Sequence, residues 1–294
     1  MKVENLNLLR ESLPYIQKFT GKTFVIKLSG QVTDNPEVMR SLAEEVVLFY
    51  QVGVKVVLVH GGGKQLNALA DRLGIEQTMI QGRRVTDSNT LEMAKMVFAG
   101  TVRTNILSAL RSMGARAVGL SGLDGNIVRA KRREKLTMKD DEGKEQLVDF
   151  GHVGDIEGID DDLLRLLLEQ NYISVISSLG ANDKGDVFNI NADTIASEIA
   201  SSLQAEKLIL LTNIDGIYKD IHDPDSKISA LTLEEAEKLM SSEGIKAGMI
   251  PKLKAITRVL HAGVHAVHVV HGGSKDVLLQ EVFTQEGSGT MISH

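Results

Sequence analysis

The chain has 294 residues, and its 33 Lys and Arg against 39 Asp and Glu leave a formal net charge of −6, which argues against the broad phosphate neutralisation that nucleic-acid binding needs. With no cysteine, it can form no disulfide, thiolate nucleophile or cysteine metal site. No apolar run approaches bilayer-spanning length and the amino end lacks a signal-peptide pattern, so the expectation is a soluble, cytoplasmic protein with ample length for a core.

In chain order, the stretch "ENLNLLRESLPYIQKFTGK" carries Leu6, Leu9, Leu13 and Ile16 at helical spacing, with a kink expected at Pro14. "TFVIKLSG" reads as a strand; Lys27 stands in it where a buried strand favours an apolar residue, and Ser29-Gly30 follow as a small-residue loop. A helix over "PEVMRSLAEEVVLFYQVG" leads to a strand at Val56-Val57-Leu58-Val59, apolar on both faces as in a parallel strand between helix layers. His60 and three glycines, Gly61, Gly62 and Gly63, then open a helix marked by Leu66, Leu69, Ala70 and Leu73, with Gly74 where a left-handed helix end costs least. Glycines at such a turn let backbone N–H groups approach a bound anion. The spacing fits neither familiar glycine loop. A dinucleotide fingerprint needs glycine where Leu66 stands, and a P-loop needs glycine at Leu58 and a hydroxyl residue at Gln65.

Further along, a helix from the 90s to about 112 begins after "TDSNT", with Gly100 as a weak spot. A strand at 115–122 follows, and "RAKRREK" (129–135) before "KDDEGKE" reads as an exposed hairpin with compensating charges. Asp160, Asp161 and Asp162 precede "LLRLLLEQ" and suit a helix start. Strands are expected at 173–180, 207–214 and 265–273, a capping box at Thr232 and Glu235, and Pro251 in the first turn of a helix to about His261. The alternation is the α/β signature, with one continuous sheet in two lobes and ligands at the carboxyl ends of its strands. Of the histidines His261, His265, His268 and His271, a strand over 265–271 turns His268 away from His265 and His271, so no metal site is expected.

Three strand ends carry polar groups that packing does not ask for. Beside Lys27, the stretch after the strand at 173–178 alternates Asn189, Asn191 and Asp193 before a helix, more than a cap requires. Gly248, Pro251 and Lys252 mark another helix start, where the cation opposes the helix dipole unless an anion binds. Two lysines, two glycine loops and one acid, without an obvious nucleophile, suit phosphoryl transfer. A carboxylate acceptor suits them especially, since it is already ionised at neutral pH and needs no general base.

The ordered set "VIKLSG", "VHGGG", "GRRVTD" (82–87), "FNINAD" (188–193), "LTNIDGIY" (211–218) and "GMIPK" (248–252) resembles the amino acid kinase family over nearly the whole chain. Within it, the resemblance is greatest to the branch that phosphorylates N-acetyl-L-glutamate in the second step of arginine biosynthesis. It implies a three-layer αβα sandwich around a mainly parallel sheet, with an amino-acid-substrate lobe over about 21–185 and a nucleotide lobe over about 186–294. It also implies that Lys27 neutralises the travelling phosphoryl group, Lys252 stabilises the leaving β-phosphate and Asp193 orients both. The Gly61-Gly62-Gly63 backbone would lie beside the acceptor carboxylate, Arg84 would pair with the substrate's other carboxylate, and Asn189 would bind near its α-substituents. The nucleotide falls to Ser29, Gly30, Thr212, Asn213, Gly216, Ile217, Tyr218 and Met249, with Mg²⁺ riding on the ATP phosphates.

The same resemblance makes residues 1–20 the kinked helix by which arginine-inhibited members interlock as hexamers. L-arginine would be met by Glu281 at its guanidinium and the Gly287 backbone at its α-amino group, with Tyr15 at the junction. Three departures stand out: Lys-Leu-Ser-Gly where two glycines are usual, Asn213 and Asp215 in place of an acid and a proline, and no Asp-Gly-Arg in "VHVVHGGSKDVLLQE". The first is similar to uridylate kinase, the rival reading inside the family. A catalytically silent amino-acid sensor is the rival outside it.

Overall fold

The computed structural model describes residues 3–139, 145–220, 222–241, 249–284 and 287–294, with side chains in the first helix from Arg10 and then Ser12 onward. Gly248, and the side chains of Leu6 and Leu9, lie outside the described part. The chain opens with α1 (Val3–Phe19), β1 (Thr23–Leu28), α2 (Gly30–Asp34), α3 (Pro36–Gln51), β2 (Lys55–His60) and α4 (Gly63–Leu73). A small hairpin of β3 (Met79–Ile80) and β4 (Arg83–Arg84) precedes α5 (Ser88–Met96), a π-helical turn (Val97–Val102) and α6 (Arg103–Ser112). Next come β5 (Ala117–Ser121), β6 (Val128–Arg132), β7 (Leu136–Lys139), β8 (Glu145–Val148) and β9 (Gly154–Ile159). They lead to α7 (Asp162–Glu169), β10 (Ile173–Ser177), β11 (Leu179–Ala181), β12 (Val187–Asn189), α8 (Ala192–Ser202) and β13 (Lys207–Thr212). The carboxy-terminal part holds β14 (Ile217–Tyr218), β15 (Lys227–Ile228), β16 (Ala230–Thr232), α9 (Leu233–Ser241), α10 (Ile250–His261), β17 (Ala266–His271), α11 (Val277–Phe283) and β18 (Thr290–Ser293).

Eight strands form one sheet in the order β16-β18-β17-β13-β1-β2-β10-β5, parallel at every pairing except β17 with β18. The alternation of β2 explains the layers. Val56 and Leu58 enter a core with Phe49 of α3, Leu66 of α4 and Ile106 of α6, whereas Val57 and Val59 enter one with Ile195 and Ile199 of α8 and Leu253 of α10. Both faces are therefore covered, as a continuously apolar parallel strand requires. The result is the expected three-layer αβα sandwich.

Local chemistry sets several boundaries. Gly74 ends α4 at φ 67, a left-handed conformation that costs a glycine little. At α9 the capping box forms, with Thr232 N–H donating to Glu235 Oε2 at 2.8 Å and Glu235 N–H to Thr232 Oγ1 at 3.2 Å. Pro251 sits in the first turn of α10. Pro14 lies inside α1 without ending it.

The structure corrects some expectations and refines others. The single-sheet reading gives way to a second, four-stranded sheet, β12-β11-β6-β9, and the strand expected at 173–180 is divided between the two sheets. Gly122 permits the crossing: its N–H donates to the Leu179 carbonyl at 3.0 Å, and a Cβ there would collide with that oxygen. The long helix up to residue 112 passes through a π turn that contains Gly100. Asp161 does not cap α7 with its side chain but pairs with Arg165 at 2.8 Å and accepts from Ser202 Oγ at 2.7 Å. The basic cluster is charge-compensated, but by Asp149, Asp155 and Glu157, which meet Arg132, Arg133 and Lys131 at 3.1, 2.6 and 3.6 Å; residues 140–144 lie outside the described part.

Candidate active site

β1 lies between β13 and β2, so Lys27, in register with Leu210 and Val59, occupies a central strand rather than an edge. Its ammonium reaches the carboxyl edge of the sheet and meets Asp193 Oδ1 at 3.0 Å. Asp193 is held in the first turn of α8, where Asn191 caps the helix by accepting from the N–H groups of Asp193 at 2.7 Å and Thr194 at 3.2 Å. Lys252 enters from the first turn of α10. Burial pulls its affinity for a proton below that of a free lysine; Asp193 opposes that pull and Lys27 adds to it. Two cations and one carboxylate thus converge from three elements.

They face a cavity of about 630 Å³ that also takes in Ser29, Gly30, Thr212 and Asn213. Its apolar wall is built by Leu208 and Leu210 of β13 and by Ala255, Ile256 and Val259 of α10. Sequence reasoning missed that wall, although Leu208, Leu210 and Thr212 share one strand face by simple alternation. Gly216, Ile217, Tyr218 and Met249 are not among its lining residues. Ile217 and Met249 are packed into the core, Gly216 approaches Thr290 too closely for a side chain, and the Tyr218 hydroxyl donates to Asp215. That bond pushes the Tyr218 phenol up to about 12.

A second cavity, about 370 Å³, is lined by Arg84, Arg133, Phe150, Val153, Asn189 and Ile190. Asn191 and Thr194 line both cavities, so the two meet at the amino end of α8. Arg84 is half-buried, and burial lowers its affinity for a proton. Among the described residues it makes no ion pair. Its guanidinium donates instead to neutral acceptors: Gln77 Oε1, Asn67 Oδ1 at 2.6 Å and the Gly63 carbonyl at 3.4 Å. An ordinary surface ion pair is therefore not what this arginine makes. Asn189 is placed by its Nδ2–H, which donates to Thr86 Oγ1 at 3.0 Å. Asn67 and Gln77 escaped the sequence reading because nothing local marks a side chain that serves a residue 17 or 7 positions away.

The glycine turn lies between these groups. Gly61 has room at its Cβ position beside Ala192 and Ser178, Gly63 has its nearest neighbour at Arg84 Nη2, and a Cβ on Gly62 would strike the Phe98 ring at 2.6 Å. The turn thus touches Ala192 at the start of α8 on one side and packs tightly against Phe98 on the other, and none of its three glycines is among the residues that line either cavity. Among the described residues, the cavities present Lys27, Lys252 and Arg84 against a single lining carboxylate, Asp193, a balance that favours two anionic ligands side by side.

The model of the amino acid kinase family matches residues 22–271. The chain belongs to this family. It is 42% identical over 291 residues to the acetylglutamate kinase of Methanocaldococcus jannaschii, covering 99% of this chain and 97% of that one. It is 43% identical over 290 residues to that of Heliobacterium modesticaldum, covering 99% and 98%. Among solved structures, the N-acetylglutamate synthase of Neisseria gonorrhoeae complexed with coenzyme A and L-arginine superposes with a TM-score of 0.80 at 30% identity, over 98% of this chain. The chain spans 65% of that synthase. The carbamate kinase of Giardia lamblia bound to AMP-PNP, 19% identical with a TM-score of 0.62 and matching 93% of this chain and 98% of its own, shares the amino acid kinase fold.

The effector residues are placed differently from expectation. Glu281 is only 7% exposed, and its carboxylate is filled by internal donors: His268 Nδ1 at 2.6 Å, Ser288 N–H at 2.7 Å and Gly289 N–H at 2.9 Å. Those bonds hold it ionised, down at about 2, against the opposing effect of burial. It serves as an internal anchor between β17 and the turn before β18. Gly287 adopts φ 65 beside it, and Tyr15 of α1 stacks edge-on against Phe283 of α11 with ring centroids 6.4 Å apart. Of the four histidines, His268 also accepts from Lys207 at 2.7 Å, His261 pairs with Glu237 at 2.7 Å, and His271 meets Ser274 at 3.2 Å. Among the described residues no group of three or more His, Asp or Glu is placed to hold a metal, and no helix is long and apolar enough to cross a membrane.

Proposed function

We propose that this chain transfers the γ-phosphoryl group of ATP to the side-chain carboxylate of N-acetyl-L-glutamate, giving ADP and N-acetyl-L-glutamyl 5-phosphate in arginine biosynthesis. The observation that carries the reading is the pair of cavities meeting at the amino end of α8, with Lys27 and Lys252 on one side and Arg84 on the other. The near-full-length likeness to acetylglutamate kinases supports the choice of acceptor.

ATP takes the larger cavity, its phosphates towards Ser29 and Gly30, and the acceptor takes the smaller one. The lobes, about 21–185 and 186–294, meet between them. Arg84, already turned into place by neutral acceptors, has its charge free for the carboxylate that does not react, and Asn189 lies beside it. The reacting carboxylate lies against Gly61-Gly62-Gly63, ionised, so no base is called for. As the γ-phosphoryl group passes over, Lys27 neutralises its oxygens, Lys252 takes up the charge growing on the β-phosphate, and Asp193 keeps the two ammonium groups apart and oriented. Asp193 is the one carboxylate lining the cavities among the described residues and is already paired with Lys27. Mg²⁺ therefore fits as a partner of the ATP phosphates, where it adds charge neutralisation.

ADP release measured with Mg-ATP and N-acetylglutamate, glutamate, aspartate or UMP tests the assignment. Turnover of N-acetylglutamate alone is expected, and turnover of UMP alone would overturn it in favour of a uridylate kinase. No turnover of any acceptor would favour the silent sensor.

For regulation, we propose a homohexamer linked through α1 and inhibited by L-arginine bound near Gly287 and Tyr15. Support comes from the Tyr15–Phe283 contact that ties α1 to α11 and from the arginine-bound synthase of the same fold. Light scattering with and without residues 1–20 tests the assembly, and an unchanged mass would exclude it. Arginine titration tests the inhibition, and a flat response would exclude it.

A further inference from the structure

At the end of β2, between the apolar strand and the glycine turn, His60 has no solvent exposure. Its Nδ1 lies 2.8 Å from the carbonyl oxygen of Gly61. A carbonyl can only accept, so Nδ1 carries the proton and Nε2 is left as a bare acceptor. That Nε2 is buried and has no partner among the described residues. The imidazole is neutral, held down at about 4 mainly by burial, with the charge of Arg103 adding to the effect. An orphaned buried acceptor disfavours the fold, and a residue of the same reach without it, such as leucine, would pack there at no such cost. The compensating gain has to lie in the one bond that the ring does make.

That bond fixes a peptide plane. His60 follows Leu58 on the strand and shares its face, the side of α3, α4 and α6, so the Gly61 carbonyl is drawn towards that layer. The peptide is trans, and in a trans peptide the N–H points opposite to the carbonyl. The N–H of Gly62 is thus turned the other way, towards the layer from which α8 presents Asp193, and it donates to no described residue. Phe98, from the π-helical turn, braces Gly62 on its other flank.

We infer that His60 is a positioning residue for phosphoryl transfer: as the Nδ1–H tautomer it locks the Gly61–Gly62 peptide so that the Gly62 N–H is preorganised towards the acceptor carboxylate and the phosphoryl group passing to it. This rests on the kinase reading given above. A donor aimed before the reaction begins acts mostly on the charge that develops during transfer, so its loss falls on kcat and leaves KM for both substrates nearly unchanged.

The amide nitrogen of asparagine occupies the position of the histidine Nδ1, whereas leucine has the shape without the donor, so the two substitutions separate the bond from the packing. His60→Leu is expected to lower kcat by about 10²-fold with KM for ATP and N-acetylglutamate moving less than about threefold. His60→Asn is expected to recover at least about tenfold of that loss. Melting curves of both variants monitor the fold. Equal kcat in His60→Leu and wild type, or equal losses in the Leu and Asn variants, would overturn the assignment. ¹⁵N-histidine spectra of the wild-type protein give a readout independent of turnover: an Nδ1–H signal that does not titrate between about pH 5.5 and 8 is expected, and an Nε2–H tautomer would overturn the inference even if both variants were unfolded. Wild-type protein that turns over N-acetylglutamate while His60→Leu matches it refutes this inference alone; wild-type protein that does not turn it over refutes the kinase reading beneath it.

Discussion

Glu45 of α3 is 2% exposed and accepts from the N–H groups of Leu278 at 2.7 Å and Leu279 at 3.3 Å. It caps α11 from the far end of the chain, because Asp276 at the start of that helix has φ 56 and makes no side-chain cap bond. Burial lifts this carboxyl from 4.5 to about 7, with the charges of Asp276 and Glu44 adding to the rise and the two backbone bonds resisting it. Between about pH 4.5 and 7 the folded protein therefore keeps a proton that the unfolded chain has lost. Stability then falls as pH rises through that window, by about 1.4 kcal/mol per pH unit and about 3 kcal/mol in all.

Glu45→Gln keeps the shape and the acceptor but removes the titration. At pH 8 it avoids the net cost of burying the charge, about 3 kcal/mol, in which the two backbone bonds are already counted. That is about 5 °C in Tm at an unfolding entropy of about 2.1 cal/mol/K per residue. At pH 5 the wild-type group is already neutral and the two proteins should melt together. Paired melting curves at half-unit steps from pH 5 to 8 isolate the group, since every other titration cancels in the difference. A Tm difference that does not change with pH would show that this carboxyl is not the one titrating.

Lys27→Ala and Lys252→Ala should each lower kcat by about 10²–10³ with melting unchanged; near-normal turnover in steady-state kinetics would remove that lysine from its role. Arg84→Lys should raise KM for N-acetylglutamate about tenfold or more with kcat little affected, because a single ammonium cannot hold Gln77 and Asn67 while also gripping a carboxylate as a fork does; an unchanged KM would exclude the contact. Asp193→Asn should fold normally, since its partner contact is half-exposed and contributes about 0–1 kcal/mol, but kcat should fall about tenfold or more with KM for ATP no higher. A raised KM with normal kcat would mean that Asp193 binds nucleotide rather than orients the lysines. Glu281→Gln should destabilise by about 3 kcal/mol in denaturant titrations at pH 7, because the Lys207–His268 pair then keeps a buried charge without its anion; unaltered stability would refute the internal-anchor reading.

Much of the scaffold was legible because its causes are local. The run Val56–Val59, the cap at Gly74, the Thr232–Glu235 box and Pro251 each declare themselves through burial periodicity or turn chemistry within a few residues. Lys27 stood out for the complementary reason, as a charge where local packing wanted none, and Arg84 through its place in the family's motif. What escaped was set by distance along the chain. The cap that Glu45 provides to α11 comes from a helix 233 positions away, the division at Ser178 depends on Gly122 meeting Leu179, and Glu281 looked available because the donors that fill it include His268 from a neighbouring strand. Ile217 and Tyr218 carried a familiar pattern, but its apolar members serve the core.

The electrostatics of the site follow from how each cation is supported. An arginine paired with an acid is already satisfied, and a substrate carboxylate must displace that partner before it gains anything. Arg84 instead rests on two side-chain amides and a backbone carbonyl, which fix its direction without cancelling its charge. Lys252 is half-buried and, among the described residues, offset by Asp193, which is shared with Lys27 at 3.0 Å. A site arranged in this way is incomplete in charge until anions arrive from both cavities, and a neutral acceptor in the smaller one would leave Arg84 uncompensated. The same deficit that draws in the two ligands is relieved least by their separate ground states and most when negative charge spreads across a transferring phosphoryl group between them, on the side where Lys27 and Lys252 converge.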